Sequence, residues 1–161
     1  MEMRVEALRR SLDLTPHPEG GYYRELYRSP RTVTPDDGRG PRAMLTTIYF
    51  LLPAGAISRW HRVGSDEVWH HLEGDPLEVL ALTPARDGLV RHRIGPLRDG
   101  HAPEHVVPAG EWQAARSLGA YSLVGCVVGP GFTFEDFELL RDRPDEAGGI
   151  TRLCREAADF V

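Results

Sequence analysis

Residues 55–74 read Gly55-Ala-Ile-Ser-Arg-Trp-His61-Arg-Val-Gly-Ser-Asp-Glu67-Val-Trp-His70-His71-Leu-Glu-Gly74. Two β-rich segments, 56–62 and 67–72, flank Gly64-Ser65-Asp66, whose residue types favour a turn. Strands joined by so short a connection lie side by side, so His61 and Glu67 can face one interior from adjacent strands. A buried titratable pair inside a barrel commonly serves a site. Alternation from Glu67 sends Trp69 and His71 inward with it and Val68 and His70 outward, an order that a bulge would reverse.

The same strand-turn-strand pattern extends outward in both directions. Segments 21–28, 43–52, 77–83, 89–94, 105–107, 112–116, 121–128 and 132–139 have strand character, separated by Gly, Pro and Asp. Asp87-Gly88 supplies residues suited to a tight hairpin turn between 77–83 and 89–94. The alternation in 77–83 is imperfect, as expected where both faces of a strand are covered. Residues 34–41 form a surface loop. Val5, Leu8 and Leu12 recur at helical spacing, and Ile150, Leu153, Cys154 and Ala157 share one side of a second short helix over 150–160. About ten short strands call for closure, which removes exposed edges. The expected fold is therefore all-β, a closed or sandwiched antiparallel jelly roll with short N-terminal and C-terminal helices. Its mouth is a natural place for a ligand. One domain over 1–161 is expected, with the barrel core at about 20–140.

Composition narrows the chemistry. The chain has 161 residues, 19 basic against 24 acidic, and a formal charge of −5. The basic residues do not cluster, so nucleic-acid binding has no electrostatic footing. All 19 are arginine, which excludes Schiff-base and lysine-base chemistry. Cys126 lies in an apolar run and reads as a small buried hydrophobe, and Cys154 lies in a polar helical stretch; neither forms part of a zinc spacing. No Gly-x-Ser-x-Gly elbow is present, and the Gly129-Pro130-Gly131 turn has no basic residue after it to hold phosphate. No signal-like or membrane-spanning apolar stretch occurs, so a cytoplasmic protein without a membrane partner is expected.

Gly55, His61, Glu67 and Gly74 resemble the first cupin motif, with Val63 where its second histidine would stand. Pro108-Ala-Gly110-Glu-Trp-Gln113 resembles the second motif, with Gln113 in place of histidine. The phrases His17-Pro-Glu-Gly-Gly-Tyr-Tyr-Arg24, Thr47-Ile-Tyr49-Phe-Leu-Leu, His61-Arg-Val-Gly-Ser-Asp-Glu-Val-Trp69-His70, Val107-Pro-Ala-Gly-Glu-Trp112 and Gly129-Pro-Gly-Phe-Thr-Phe-Glu-Asp-Phe137 together resemble the cupin-5 subfamily, domain of unknown function 985, over about 5–140. The resemblance implies a double-stranded β-helix, a homodimer, and a pocket like those of germins and sugar epimerases. It also implies that the usual metal set of three histidines and a glutamate is reduced to His61, Glu67 and Gln113. That is a poor set, because an amide oxygen is a weak neutral ligand, although His70 or His71 would improve it.

An acid–base site suits these residues better. An imidazole titrates near neutrality and a carboxylate can orient it. The expected roles are His61 as acid/base, Glu67 as its orienter, Gln113 as a hydrogen-bond donor to the ligand, and Tyr49 or Tyr23 as the complementary acid, as the resemblance to epimerases implies. Trp69 and Trp112 are candidate aromatic walls, and His71, Ser58 and Glu25 complete the ligand-binding set. Arg24, Arg59 and Arg62 either bind an anionic group or stay on the surface. The leading expectation is isomerisation or epimerisation of a small polar or cyclic, sugar-like metabolite without a cofactor. The alternatives are an oxygenase or isomerase using one divalent metal ion, and a non-catalytic binding or sensing module.

Overall fold

The computed structural model describes residues 2–83, 87–153 and 155–161. Helix α1 (Glu2–Ser11) precedes strands β1 (Thr15–Pro16), β2 (Tyr22–Arg28), β3 (Thr32–Val33), β4 (Arg42–Ala43) and β5 (Thr46–Pro53). Strands β6 (Ile57–Val63), β7 (Asp66–Gly74), β8 (Leu77–Leu82) and β9 (Leu89–Ile94) follow. The chain continues with β10 (Glu104–Val107), β11 (Gln113–Ser117), β12 (Tyr121–Gly129), β13 (Phe137–Leu139), α2 (Pro144–Leu153) and α3 (Arg155–Ala158). One large sheet has the order β1-β2-β5-β12-β7-β10, the other β13-β6-β11-β8-β9, and β3 pairs with β4 apart from both. From β5 to β8 and again from β9 to β13 successive strands alternate between the two large sheets, and the ladders are antiparallel. This is the expected jelly roll with terminal helices. No helix among the described residues is long and apolar enough to cross a membrane.

Both sheets are covered on both faces. Between them pack Phe50, Leu52, Trp69, Leu77, Val79, Val124 and Cys126. Leu8 and Leu14, from α1 and the turn after it, cover Leu51 and Leu123 on the outside of the six-stranded sheet. Ile150, Ala157 and Phe160 cover Trp60, Leu80, Trp112 and Ala114 on the outside of the five-stranded sheet. Neighbouring residues along a strand therefore enter two different apolar layers, which explains why Leu77 to Ala81 are all buried and why their alternation is blurred. Burying one large apolar side chain contributes roughly 1.5–3 kcal/mol, so the helices stabilise the barrel from outside.

Several local expectations are corrected. Strands β8 and β9 pair from Leu77↔Ile94 to Leu82↔Leu89, but neither Asp87 nor Gly88 has a positive φ. Asp87 instead takes the Thr83 hydroxyl hydrogen bond and donates its own N–H back to that oxygen, closing a longer loop. Only Phe137–Leu139 of the segment 132–139 is strand. Phe134–Asp136 is a 3₁₀ turn, held where Arg39 and Arg42 grip the Asp136 carboxylate at 3.0 and 2.8 Å. In place of one helix over 150–160 there are two, α2 and α3, and α2 starts earlier, at Pro144, whose fixed φ and missing N–H suit a first turn that also carries Asp145 and Glu146. Cys154 lies outside the described residues.

Candidate functional site

A β-bulge decides which side chains of β6 look inward. In the pairing with β11, Gln113 lies opposite His61 and Ala115 opposite Ser58, so Ala114 faces two residues, Arg59 and Trp60. Strict alternation would put Ser58 and His61 on opposite faces. The extra residue puts both in the interior, each at most 1% exposed. It also brings the Arg59 carbonyl within 2.7 Å of His61 Nδ1. A carbonyl can only accept, so Nδ1 carries the proton and the neutral ring presents a bare Nε2.

That nitrogen meets Glu19, a residue outside the sequence-derived set. Glu19 Oε2 lies 3.3 Å from His61 Nε2 and 3.4 Å from His17 Nδ1, and Glu19 Oε1 accepts the Ser58 hydroxyl at 2.8 Å. Gly20 makes the approach possible: its φ is +115°, and a Cβ there would sit 2.0 Å from the Ile57 carbonyl oxygen. The Arg59 N–H fastens the segment to β6 through the Glu19 carbonyl at 2.8 Å. Burial pushes the Glu19 carboxyl up to about 8 and pulls His17 down to about 3. It also pulls His61 below its ordinary value, with Glu67 and the Arg59 carbonyl acting in the opposite direction. Near neutrality the cluster is a carboxylic acid between neutral imidazoles, and not an ion pair.

Glu67 enters from β7 as expected, but its partners differ from those anticipated. Its Oε2 accepts the Gln113 amide N–H at 2.6 Å, while Gln113 Oε1 accepts the Trp69 indole N–H at 2.9 Å. Burial raises the Glu67 carboxyl to about 7, against the opposing pull of His61. Glu19 is thus the carboxyl in direct reach of His61. Gln113 latches Glu67 to Trp69, with both ends of its amide engaged.

Around these groups lies a cavity of about 320 Å³, within the range of small-molecule sites. His17, Glu19, His61, Glu67, Trp69, Tyr23 and Glu25 line it, with Phe50, Phe132, Phe134 and Phe137. The 3₁₀ turn lets Phe132, Phe134 and Phe137 all serve one wall, which strand alternation would forbid. Five expected residues lie elsewhere, Ser58 among them, buried behind Glu19 with its hydroxyl hydrogen bond spent on that carboxyl. Tyr49 packs under α1 on the outer face. Trp112 packs under α2, donates to Glu146 at 2.9 Å and carries Arg62 over its ring. His71 shares the inward face but bonds the Asp75 carbonyl, and Gln113 is a latch behind the wall. His70 points outward to Glu104. Arg24 lines the rim with Arg28, whose fork is occupied by Glu25 and the Phe132 carbonyl.

Metal ligation fits this donor set badly. The Gln113 oxygen already accepts the Trp69 indole N–H and is a weak neutral ligand, Val63 is aliphatic, and Glu67 is biased toward its protonated form. Among the described residues no group of three or more histidine, cysteine or acidic side chains is arranged to hold an ion.

Cys126 faces the same space from β12, with burial and Glu67 keeping its thiol protonated, so it packs as the expected small hydrophobe. Glu19 left one trace in the sequence, a carboxylate followed by Gly20-Gly21 just before a strand. Nothing local said that this turn would be folded inward.

Comparisons agree with the architecture. The family model described as Cupin superfamily (DUF985), Cupin_5, matches residues 6–140. An uncharacterized Saccharomyces cerevisiae protein, YML079W, is 32% identical over 145 residues, covering 80% of this chain and 71% of the yeast protein. A hypothetical protein from Leishmania major superposes with a TM-score of 0.77 at 33% identity, over 91% of this chain and 96% of that one. Protein SO0799 from Shewanella oneidensis gives 0.73 at 38% identity, over 83% and 82%. Bacillus subtilis oxalate decarboxylase shares the fold alone, with a TM-score of 0.57 at 15% identity over 78% of this chain and 29% of that one. The sheet order, the motif positions of His61 and Glu67 and the match across residues 6–140 make one assignment: this chain belongs to the Cupin_5 (DUF985) family of the cupin superfamily.

Proposed function

We propose that the protein binds a small organic molecule in its barrel and moves a proton between carbon and oxygen on it, as in an isomerisation or epimerisation. The observation that carries this is the 3.3 Å approach of His61 Nε2 to Glu19 Oε2 inside a ligand-sized cavity. His61 and Glu19 share one exchangeable proton, and Glu67 is a second titratable group in the same space with a value near physiological pH. In such a step one of the three takes the proton from a carbon next to a carbonyl. A protonated neighbour gives its own proton to the carbonyl oxygen, forming an enol; a proton returned to the opposite face of that carbon, with the oxygen's proton given back, yields an epimer, and in an enediol a proton delivered to the other carbon, with the other oxygen's proton given back, yields an isomer. The groups hold the proton, the apolar walls exclude water, and no oxidant is consumed.

The test is deuterium incorporation. Small hydroxy-ketones, aldoses and ketones are incubated with the protein in heavy water, and loss of the proton next to the carbonyl is followed by NMR. Exchange that falls at least 100-fold in His61→Ala and Glu19→Gln, with both variants folded, supports the proposal. Exchange equal in the wild type and both variants defeats it. A compound that binds and is never exchanged identifies a binding or sensing module.

A further inference from the structure

The walls of the cavity differ in character from its floor. Tyr23, Phe50, Trp69, Phe132, Phe134 and Phe137 surround the space with rings, and Ile48, Val63 and Val128 add aliphatic surface. The rings brace one another edge-to-face: Phe132 meets Phe134 at 5.1 Å and Phe50 meets Trp69 at 5.8 Å between centroids. The charged and titratable groups available to a ligand gather at the inner end, where His17, Glu19, His61 and Glu67 meet, and the phenylalanine wall adds one buried, unpartnered hydroxyl, that of Thr133. At the rim, Arg24 and Arg28 are balanced by Asp13 and Glu25, so no net charge waits there for an anion.

This arrangement penalises a sugar. Each hydroxyl pressed against phenylalanine loses its water without a replacement partner, which weakens binding. An aromatic ring gains both its own burial and edge-to-face contacts. A charged carboxylate would lose its water among the rings and meet neutral imidazoles, with no cation beside it at the inner end. Resting on the proton-transfer function proposed above, we infer that the ligand is an uncharged ring-bearing carbonyl compound, its ring held in the phenylalanine sleeve and its carbonyl directed to Glu19 and His61.

The expectation is checked with phenylacetone, propylbenzene, phenylpyruvate and dihydroxyacetone, measured for affinity by calorimetry and for deuterium exchange by NMR. Phenylacetone should bind at least tenfold more tightly than dihydroxyacetone, and more tightly than both propylbenzene, which lacks the carbonyl, and anionic phenylpyruvate. Phe134→Ala should weaken phenylacetone binding several-fold; this ring is 53% exposed, so its loss leaves the fold in place. Equal or reversed preference for dihydroxyacetone, tighter binding of phenylpyruvate, or no binding of phenylacetone overturns the ligand class. Tight binding of phenylacetone without exchange keeps the ligand class and removes the proton transfer. Exchange of dihydroxyacetone alone does the opposite.

Discussion

Two neighbouring residues on β6, and two at the start of β11, show how one sheet supports two kinds of chemistry: Gln113 is the first residue of β11 and Trp112 immediately precedes it. Trp60 and Trp112 point outward beneath the C-terminal helices, while His61 and Gln113, the next residue in each strand, point into the barrel. All four are at most 1% exposed, so burial does not distinguish them. What differs is the company. Outside, each indole N–H finds one acceptor, Ala157 O for Trp60 and Glu146 for Trp112, and the rest is apolar contact, with the Arg62 guanidinium over the Trp112 ring. Inside, polar groups are connected in chains, Ser58–Glu19–His61 and Trp69–Gln113–Glu67, beside an unfilled volume. Dry packing stabilises the sheet from one side, which lets the other side carry groups whose burial is costly.

The largest effect expected from breaking this contrast lies on the outer face. Trp112→Ala removes a fully buried indole, its bond to Glu146 and its stacking with Arg62. A loss of about 3–5 kcal/mol in urea unfolding is expected, as for other Trp-to-Ala core truncations. Ligand affinity per folded molecule should not change, because the ring does not line the cavity. A change in affinity exceeding the change in stability would show that the two faces are coupled.

Next comes the inner latch. Gln113→Leu keeps the volume but leaves the Trp69 N–H and the Glu67 carboxyl without their partner, which costs about 1–3 kcal/mol for each buried group left unpaired. The Gln113 hydrogen bond lowers the Glu67 value, so its removal should push that carboxyl above about 7, readable by carbon-13 NMR of the carboxyl. An unmoved Glu67 titration would mean that the amide does not tune it.

The pH dependence separates carboxyls from imidazoles. Glu19 is raised to about 8 and Glu67 to about 7 from an ordinary 4.5, so between pH 4.5 and 8 the folded chain holds more protons than the unfolded one. Stability from these groups is present at acid pH and declines as pH rises through that window. His17, lowered to about 3, and His61, lowered from 6.5, act oppositely: below pH 6.5 the unfolded chain takes the extra protons and stability declines as pH falls. The trends oppose each other between 4.5 and 6.5, and above 6.5 the carboxyl effect stands alone. Unfolding free energy should fall from pH 6.5 to 8, with a shallower slope in Glu19→Gln. A flat or rising wild-type curve over that interval would contradict the burial of these acids as the cause.

Much of the barrel was legible because turn residues and β-rich runs are local signals. His61 and Glu67 were legible as two residues of one interior, but not as side-by-side neighbours: β6 and β7 belong to different sheets, so the short turn carries the chain from one sheet to the other. The bulge at Arg59–Trp60 was not, since it depends on the register with β11, some 50 residues away in sequence. The same holds for Glu19, whose placement follows from a Gly20 turn seated against the Ile57 carbonyl. Gln113 was located by motif but given the wrong partner, because spacing fixes which strand a residue occupies and leaves open which atoms its amide meets. Trp112 and Tyr49 failed for a related reason: in a sheet covered on both faces, an aromatic residue is equally at home inside and outside, so hydrophobicity carries no parity.

Tyrosine supplies the smallest expected effect and the most direct check on that last point. Tyr49 lies opposite Arg24 and Gly125 in the ladder and packs with the layer under α1, whereas Tyr23, one position along the neighbouring β2, lines the cavity edge-on to His17 at 4.6 Å. Their hydroxyls are thus separated by the sheet itself. Tyr49→Phe should leave deuterium exchange and affinity unchanged and alter stability by less than about 0.5 kcal/mol, the scale of a substitution that disturbs no buried network. Tyr23→Phe keeps the ring against His17 and removes only the oxygen, so a fall in exchange with affinity retained would assign that hydroxyl to the proton path. If Tyr49→Phe were the variant that slowed exchange, the inward and outward parity of β5 would have to be reversed, and Phe50, Leu51 and Leu52 would change layers with it.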